Sequence, residues 1–273
     1  MTRIALCVFA VLFVMNVQAD EEVKTMAPDA ADAMKSLQTS TRHGEWVDVA
    51  VEGSDSKLHC WLVHPERSDK ASVVIVIHEI FGMTDWVRAV TDQLAAEGFV
   101  AIAPDLLSGK GPGGGGTDSF KGDDVRSAIQ KLSPDEVAKD LDAVRAYAMG
   151  LPNANDRTAT IGFCWGGGKS FAYAVHQPKL TAAVVYYGTP PESGLDQITA
   201  PIMGCYGGDD ARVTKTVEPT KRLMSELKKS YAPMIFDGAG HGFLRQQTAK
   251  PENAKAAKGA WEETIKFLKK NLD

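Results

Sequence analysis

The stretch Ile161–Ser170 reads IGFCWGGGKS, and two unrelated devices compete for it. Its end, Gly168-Lys169-Ser170, has the look of the close of a phosphate-binding loop. Its middle, Gly162-Phe163-Cys164-Trp165-Gly166, has the glycine–x–nucleophile–x–glycine spacing of a nucleophile elbow, with cysteine where serine is commoner. Register separates the two. With Lys169 as the loop lysine, the first glycine of a phosphate loop belongs at position 163, which is Phe163; Gly162 stands one place early. The amides then no longer all point inward at phosphate oxygens, and Trp165 would fill the cradle. A nucleotide triphosphatase is therefore the weaker reading. An elbow needs a strand, a sharp turn and a helix. Ala159–Phe163 reads as the strand, and Gly166–Gly168 open a helix where close packing leaves little room for a Cβ. Cys164 is then presented beyond the carboxyl end of its strand, at a helix N-terminus that favours a thiolate.

Working outward, apolar segments alternate with helical periodicity. Trp46–Val51 and Leu58–Val63, joined by the turn-like EGSDS, read as a hairpin. Val73–Ile77 is a continuous apolar run, the mark of a strand covered on both faces. Phe99–Ala103, Ala182–Tyr187, Ile202–Tyr206 and Met234–Phe236 complete the strands. Helices are predicted over Asp85–Glu97, Pro134–Ala148, Thr216–Lys229 and Glu252–Leu268. The second opens on a capping box, Ser133 with Glu136, and carries proline at its first position. The alternation predicts an α/β fold, a mostly parallel central sheet with helices on both faces. Residues 108–122 break the rhythm with Gly109, Gly111 and Gly113–Gly116; they read as a flexible surface excursion. Lys266, Lys269 and Lys270 read as a solvated helix face.

The chain has 273 residues, 44% hydrophobic and 24% charged, with a formal charge of −5. That suits one large domain, and no basic stretch is dense enough for nucleic acid. The beginning differs. Arg3 precedes the apolar run Ile4–Val14, and Val17-Gln18-Ala19 offers small residues for cleavage, so residues 1–19 read as a secretory signal peptide. The run is short for a membrane span, and no anchor is expected after cleavage. Residues 20–43 read as a polar, mobile leader with at most a short helix, and 44–273 as the domain. A periplasmic or secreted monomer is expected. Of the cysteines beyond the signal, Cys60 and Cys205 read as buried strand thiols; their pairing stays open.

A cysteine nucleophile needs a base, and the base needs an orienting acid; in such folds they follow in the order nucleophile, acid, histidine. After Ile202–Tyr206 comes GGDDARV, where Asp210 stands just beyond the strand. After Met234–Phe236 comes DGAGHGFLR, where glycines flank His241 in a loop. Asp209 and Asp237 are the alternative acids, and His78 is read as a structural neighbour. Oxyanion donors are expected from the Trp165 amide and from the loop HEIFG, through the Ile80 amide. No metal-ligand spacing is present, and no cofactor is called for. A non-catalytic small-molecule-binding protein on the same fold is the alternative.

HEIFG, GFCWGGG, GGDD and GHGFLR, in this order and spacing, resemble the dienelactone hydrolase family of α/β-hydrolases over most of residues 45–270. The resemblance implies an α/β-hydrolase fold and cleavage of carboxylic esters or lactones, with Cys164, Asp210 and His241 as the triad and an acyl-enzyme between two steps. It implies that Glu79 contacts the resting thiol and helps activate it. Arg245 matches an arginine that, in members acting on the dienelactone, helps hold a substrate carboxylate. Those members carry a second such arginine soon after the strand matching Phe99–Ala103. Here that stretch reads PDLLSGK, and Arg126 is the nearest candidate.

Overall fold

A computed structural model of the chain describes residues 26–273. The expected signal peptide lies outside the described residues. Eight strands form one sheet in the order β1-β2-β4-β3-β5-β6-β7-β8: β1 Gly44–Ala50, β2 Lys57–Val63, β3 Ala71–Ile77, β4 Val100–Pro104, β5 Ala154–Phe163, β6 Ala182–Tyr186, β7 Ile202–Gly207 and β8 Tyr231–Phe236. The first two make the predicted hairpin, β2 runs antiparallel to β4, and all later pairings are parallel. The helices are α1 Ala33–Thr39, α2 Asp85–Ala96, α3 Asp124–Gln130, α4 Pro134–Met149, α5 Trp165–His176, α6 Ala211–Thr214, α7 Val217–Glu226 and α8 Pro251–Leu272.

The unbroken apolar run of β3 is explained by two cores, one on each face of the sheet. Val74 and Val76 pack with α2 and α8, around Trp86 and Trp261; Val73, Ile75 and Ile77 pack with α4 and α5, around Leu141 and Phe171. Alternate side chains of one strand thus meet different helices, and neither face can be polar. The caps behave as read: the Ser133 hydroxyl accepts from the Glu136 amide at 3.2 Å, and Thr84 accepts from the Val87 amide.

Chain order sets where a site can form. From β3 the chain passes to β4 on one side and then to β5 on the other. The crevice at the carboxyl ends of β3 and β5 is therefore a topological switch point, where open sheets of this kind bind ligands.

Three expectations need correction. Residues 108–122 are not a loose excursion. Pro112–Gly114 and Thr117–Ser119 form short 3-10 turns, and buried Asp105 accepts from the Thr117 amide and hydroxyl, each at 2.7 Å. The described part of the leader, from residue 26, is docked rather than mobile, with Ala27 and Ala33 in the core around Trp86. Lys269 does not belong to a solvated face: it pairs at 3.4 Å with the buried carboxylate of Glu97. The topology also answers the cysteine question. Cys60 on β2 and Cys205 on β7 are five strand positions apart, about 24 Å at the usual spacing, far beyond disulfide reach. Both are free and buried.

Candidate active site

β5 ends at Phe163 and α5 starts at Trp165, so Cys164 alone makes the turn. Its φ of 54° and ψ of −115° are unusual for a residue with a side chain, at a cost of about 1–3 kcal/mol that the packing around it must offset. The flanking glycines are a steric necessity. A Cβ on Gly162 would lie 2.0 Å from the Gly166 carbonyl oxygen, and one on Gly166 would lie 2.3 Å from the His78 carbonyl oxygen. The turn can be this tight, and this close to the end of β3, only with hydrogen at both positions.

Two loops reach the thiol. His241 Nε2 is 3.1 Å from Cys164 Sγ, and His241 Nδ1 is 2.5 Å from Asp210 Oδ2. Asp210 is nearly buried at 6% exposure, while the imidazole is 33% exposed, so the carboxylate is shielded and the imidazole is accessible. The His241 loop is braced from inside by Asn253 of α8. Its side chain accepts from the Gly240 amide at 2.9 Å and donates to the Gln246 carbonyl at 2.8 Å.

The other wall grows from the end of β3. His78 is wholly buried. Its Nε2 accepts from the Leu106 amide at 3.3 Å, which leaves Nδ1 to donate to the Glu79 carbonyl at 2.8 Å. Burial holds its pKa down, in keeping with this neutral tautomer. The ring also stacks on Trp165, 5.7 Å between centroids, and so braces the elbow and the neighbouring loop together. The Gly82 amide donates to the Glu79 carbonyl at 3.2 Å, closing a turn with Ile80 at its corner.

Glu79 lies almost out of water. Burial raises its carboxyl from the ordinary 4.5 to about 7, although the positive charge of Arg245 pulls the other way. Arg245 Nε stands 3.3 Å from Glu79 Oε2, close enough for charge attraction but not aligned as a hydrogen bond. The same guanidinium lies over the Phe81 ring at 4.7 Å, and Arg126 lies over that ring at 4.9 Å. The structure therefore brings both predicted arginines to one aromatic side chain. The expected contact of Glu79 with the resting thiol is not made by hydrogen bonding: the carboxylate turns to Arg245, and the thiol to His241. Glu79 still acts on Cys164 through its charge. Burial first, and then that charge, push the thiol above its ordinary pKa; the Trp165 amide and Arg212 pull it back.

Comparison with known proteins now decides the family. The family model described as the dienelactone hydrolase family matches residues 58–272. The chain belongs to the dienelactone hydrolase family. It is a carboxylic ester or lactone hydrolase with an α/β-hydrolase fold. It is 30% identical over 233 residues to a Salmonella typhimurium protein named "Putative carboxymethylenebutenolidase", covering 81% of this chain and 84% of that one. It is 29% identical to an Escherichia coli protein of the same name, covering 81% and 85%. Among solved structures, a dienelactone hydrolase from Klebsiella pneumoniae, titled "Putative", superposes with a TM-score of 0.73 at 25% identity, over 83% of this chain and 98% of that one. A dienelactone hydrolase-like promiscuous phosphotriesterase from metagenomic libraries gives 0.74 at 22% identity, over 86% and 100%, a likeness of fold.

Neither alternative acid is hydrogen-bonded to His241. Asp209 is exposed and pairs with Lys250 at 2.7 Å. Sequence reasoning missed Tyr187. It follows β6, adopts a φ of 41°, and sets its ring 5.1 Å from that of His241. Its hydroxyl is buried with no hydrogen-bond partner among the described residues, within the electrostatic reach of Glu79 and Cys164. The available signal was its position: the first residue beyond a buried strand, on the side of the sheet where the site opens.

Proposed function

We propose that this hydrolase works through a Cys164–His241–Asp210 triad and a covalent acyl-enzyme. The observation that carries the reading is the unbroken line of contacts from Asp210 through His241 to a cysteine in an elbow turn. The thiol proton passes to His241 Nε2. The sulfur bonds to the ester or lactone carbonyl carbon, and the amides of Trp165 and Ile80 stabilise the oxyanion. The carbon–oxygen bond breaks, and the leaving oxygen takes the proton held by His241. Water, deprotonated by His241, then attacks the thioester and releases the acid, restoring the thiol. A thiolate leaves more readily than an amine unless the amine is protonated, so activated esters and enol lactones suit the site best.

Arg245 and Arg126, both resting on Phe81, are proposed to receive a substrate carboxylate. Displacement of Glu79 from Arg245 by that carboxylate would couple substrate arrival to the state of the thiol. We further propose that residues 1–19 direct export to the periplasm or beyond, that cleavage after Ala19 leaves no membrane anchor, and that the enzyme is a monomer. Mass spectrometry of the protein from its host should find Asp20 as the first residue; an intact Met1 would refute the export reading. Incubation with enol lactones and short acyl esters, quenched in acid, should trap an acyl adduct on a peptide containing Cys164. Turnover with no adduct on that peptide, and undiminished in Cys164→Ala, would refute the nucleophile assignment.

A further inference from the structure

Residues 26–32 take no part in the chemistry, and they lie upstream of the residues 58–272 that the family model matches. They form no strand and only the approach to α1. Met26, Ala27 and Ala30 pack against the core around Trp86, and Ala27, Pro28 and Asp29 are buried.

Beyond that packing, a set of bonds ties them to two elements. Toward the His241 loop, the Ala30 amide donates to the Arg245 carbonyl at 2.9 Å. The Gln247 side chain donates to the Ala27 carbonyl at 2.9 Å, and Asp29 Oδ2 accepts from the Thr248 amide at 2.9 Å and the Thr248 hydroxyl at 3.2 Å. The other oxygen of Asp29 accepts from the Ala31 amide at 2.8 Å, which fixes the carboxylate. Toward α2, the Trp86 indole donates to the Pro28 carbonyl at 2.9 Å, and further on Ser40 and Arg42 both bind Asp92. α2 begins directly after the loop that carries Glu79, Ile80 and Phe81.

The segment thus joins, from outside, the two loops whose side chains meet inside the site as Glu79 and Arg245. Asn253 braces the His241 loop at Gly240 and Gln246; the leader adds bonds at Arg245, Gln247 and Thr248. We propose that residues 26–32 are a positioning strap, with Asp29 as its principal anchor, that sets the place of Arg245 beside Glu79, whose charge in turn reaches Cys164. Strap residues touch no reacting atom and act only through Arg245. The ion pair they maintain is already at 3.3 Å and poorly aligned, so a backbone shift of about 1 Å at Arg245 is enough to weaken it.

The proposal rests on the site described above, but its test does not need ester turnover. Cys164 is alkylated in parallel with iodoacetate, which bears a carboxylate, and with iodoacetamide, which is neutral. Both consume the same thiolate, so changes in thiol ionisation cancel in the ratio of rates; what remains is the local charge that the reagent meets at the sulfur, of which the part lost in Arg245→Ala belongs to Arg245. Arg245→Ala sets the floor of the iodoacetate-to-iodoacetamide ratio. Asp29→Ala should lower the ratio toward that floor by about threefold or more, and Asp29→Asn, which keeps the shape and serves if the alanine variant does not fold, by less. A wild-type ratio in both Asp29 variants, even with a lowered melting temperature, overturns the proposal, since the strap is then only packing. An unchanged ratio in Arg245→Ala overturns it too, because Arg245 would then not be felt at the thiol. Absence of ester turnover in the wild-type protein would instead count against the hydrolytic mechanism and leave the ratio readable.

Discussion

The two walls of the site are built on opposite principles. On one side Asp210, His241 and Cys164 form a chain of short contacts, each group with a polar partner and the imidazole open to solvent. On the other, Glu79 is desolvated, its arginine stands off alignment, and the Tyr187 hydroxyl is buried with no hydrogen-bond partner among the described residues. The first wall is already set for proton transfer. The second holds polar groups whose bonding is incomplete, the condition under which an arriving ligand can gain most by supplying partners. Cys164 sits between them, hydrogen-bonded to one and electrostatically restrained by the other.

The difference can be broken most severely at the first wall. Cys164→Ala and His241→Ala are each expected to lower ester turnover by about 10³-fold or more, and Asp210→Asn by less. Steady-state kcat/KM on a chromogenic short acyl ester measures this, and near-wild-type activity in either alanine variant would dismantle the triad.

The support beneath that wall comes next. Gly166→Ala puts a methyl group 2.3 Å from the His78 carbonyl oxygen, a backbone atom that cannot swing aside. A loss of several kcal/mol is expected, roughly the range of overpacked or strained sites. Urea unfolding checks it, and a change below about 1 kcal/mol would show that the elbow relaxes freely.

At the second wall the effects are smaller and selective. Arg245→Ala should raise KM for carboxylate-bearing esters by about 10–100-fold while changing KM for neutral esters less than about twofold. Equal changes for both classes would mean that Arg245 serves Glu79 and not the substrate.

The smallest expected effect concerns Glu79 and pH. Its folded-state pKa, about 7, lies above the ordinary 4.5. Between those values the folded protein binds more protons than the unfolded chain. Stability from this group is therefore full below about pH 4.5 and falls as pH rises toward 7, by at most roughly 3 kcal/mol. Glu79→Gln should remove that slope, read as melting temperature against pH. It should also speed peroxide inactivation and alkylation of Cys164 severalfold, because a neighbouring negative charge no longer opposes the thiolate. If slope and thiol reactivity both match the wild type, the second wall exerts no control on the first.

Much of the site was readable because its chemistry is carried by local pattern. The elbow is one short stretch in which glycine spacing, strand and helix start all agree. Asp210 and His241 each follow a strand directly, so finding the strands located them. The central strands were legible because burial on both faces demands unbroken apolar runs, as in Val73–Ile77, and the hairpin of β1 and β2 because a turn-like stretch joins two strand-like runs. Less was readable where a side chain's fate depends on a distant partner. Nothing around Lys269 announces the buried carboxylate of Glu97, and nothing around Met26–Asp32 announces a loop more than two hundred residues away. The partner of Glu79 was misjudged: sequence order cannot tell whether a buried carboxylate turns to a thiol or to an arginine from another loop.

The sequence by itself determined the alternation of strands and helices, the turn that presents Cys164, and the order along the chain of Cys164, Asp210 and His241. Each follows from periodicity, backbone sterics or short-range register, which act among neighbours along the chain. Tertiary structure alone decided that Cys60 and Cys205 are sheet-widths apart, that Arg126 and Arg245 converge on Phe81, and that the leader ties down the loop of Arg245. Those outcomes depend on strand order and on desolvated charge finding a partner across the fold, and both are properties of the packed molecule.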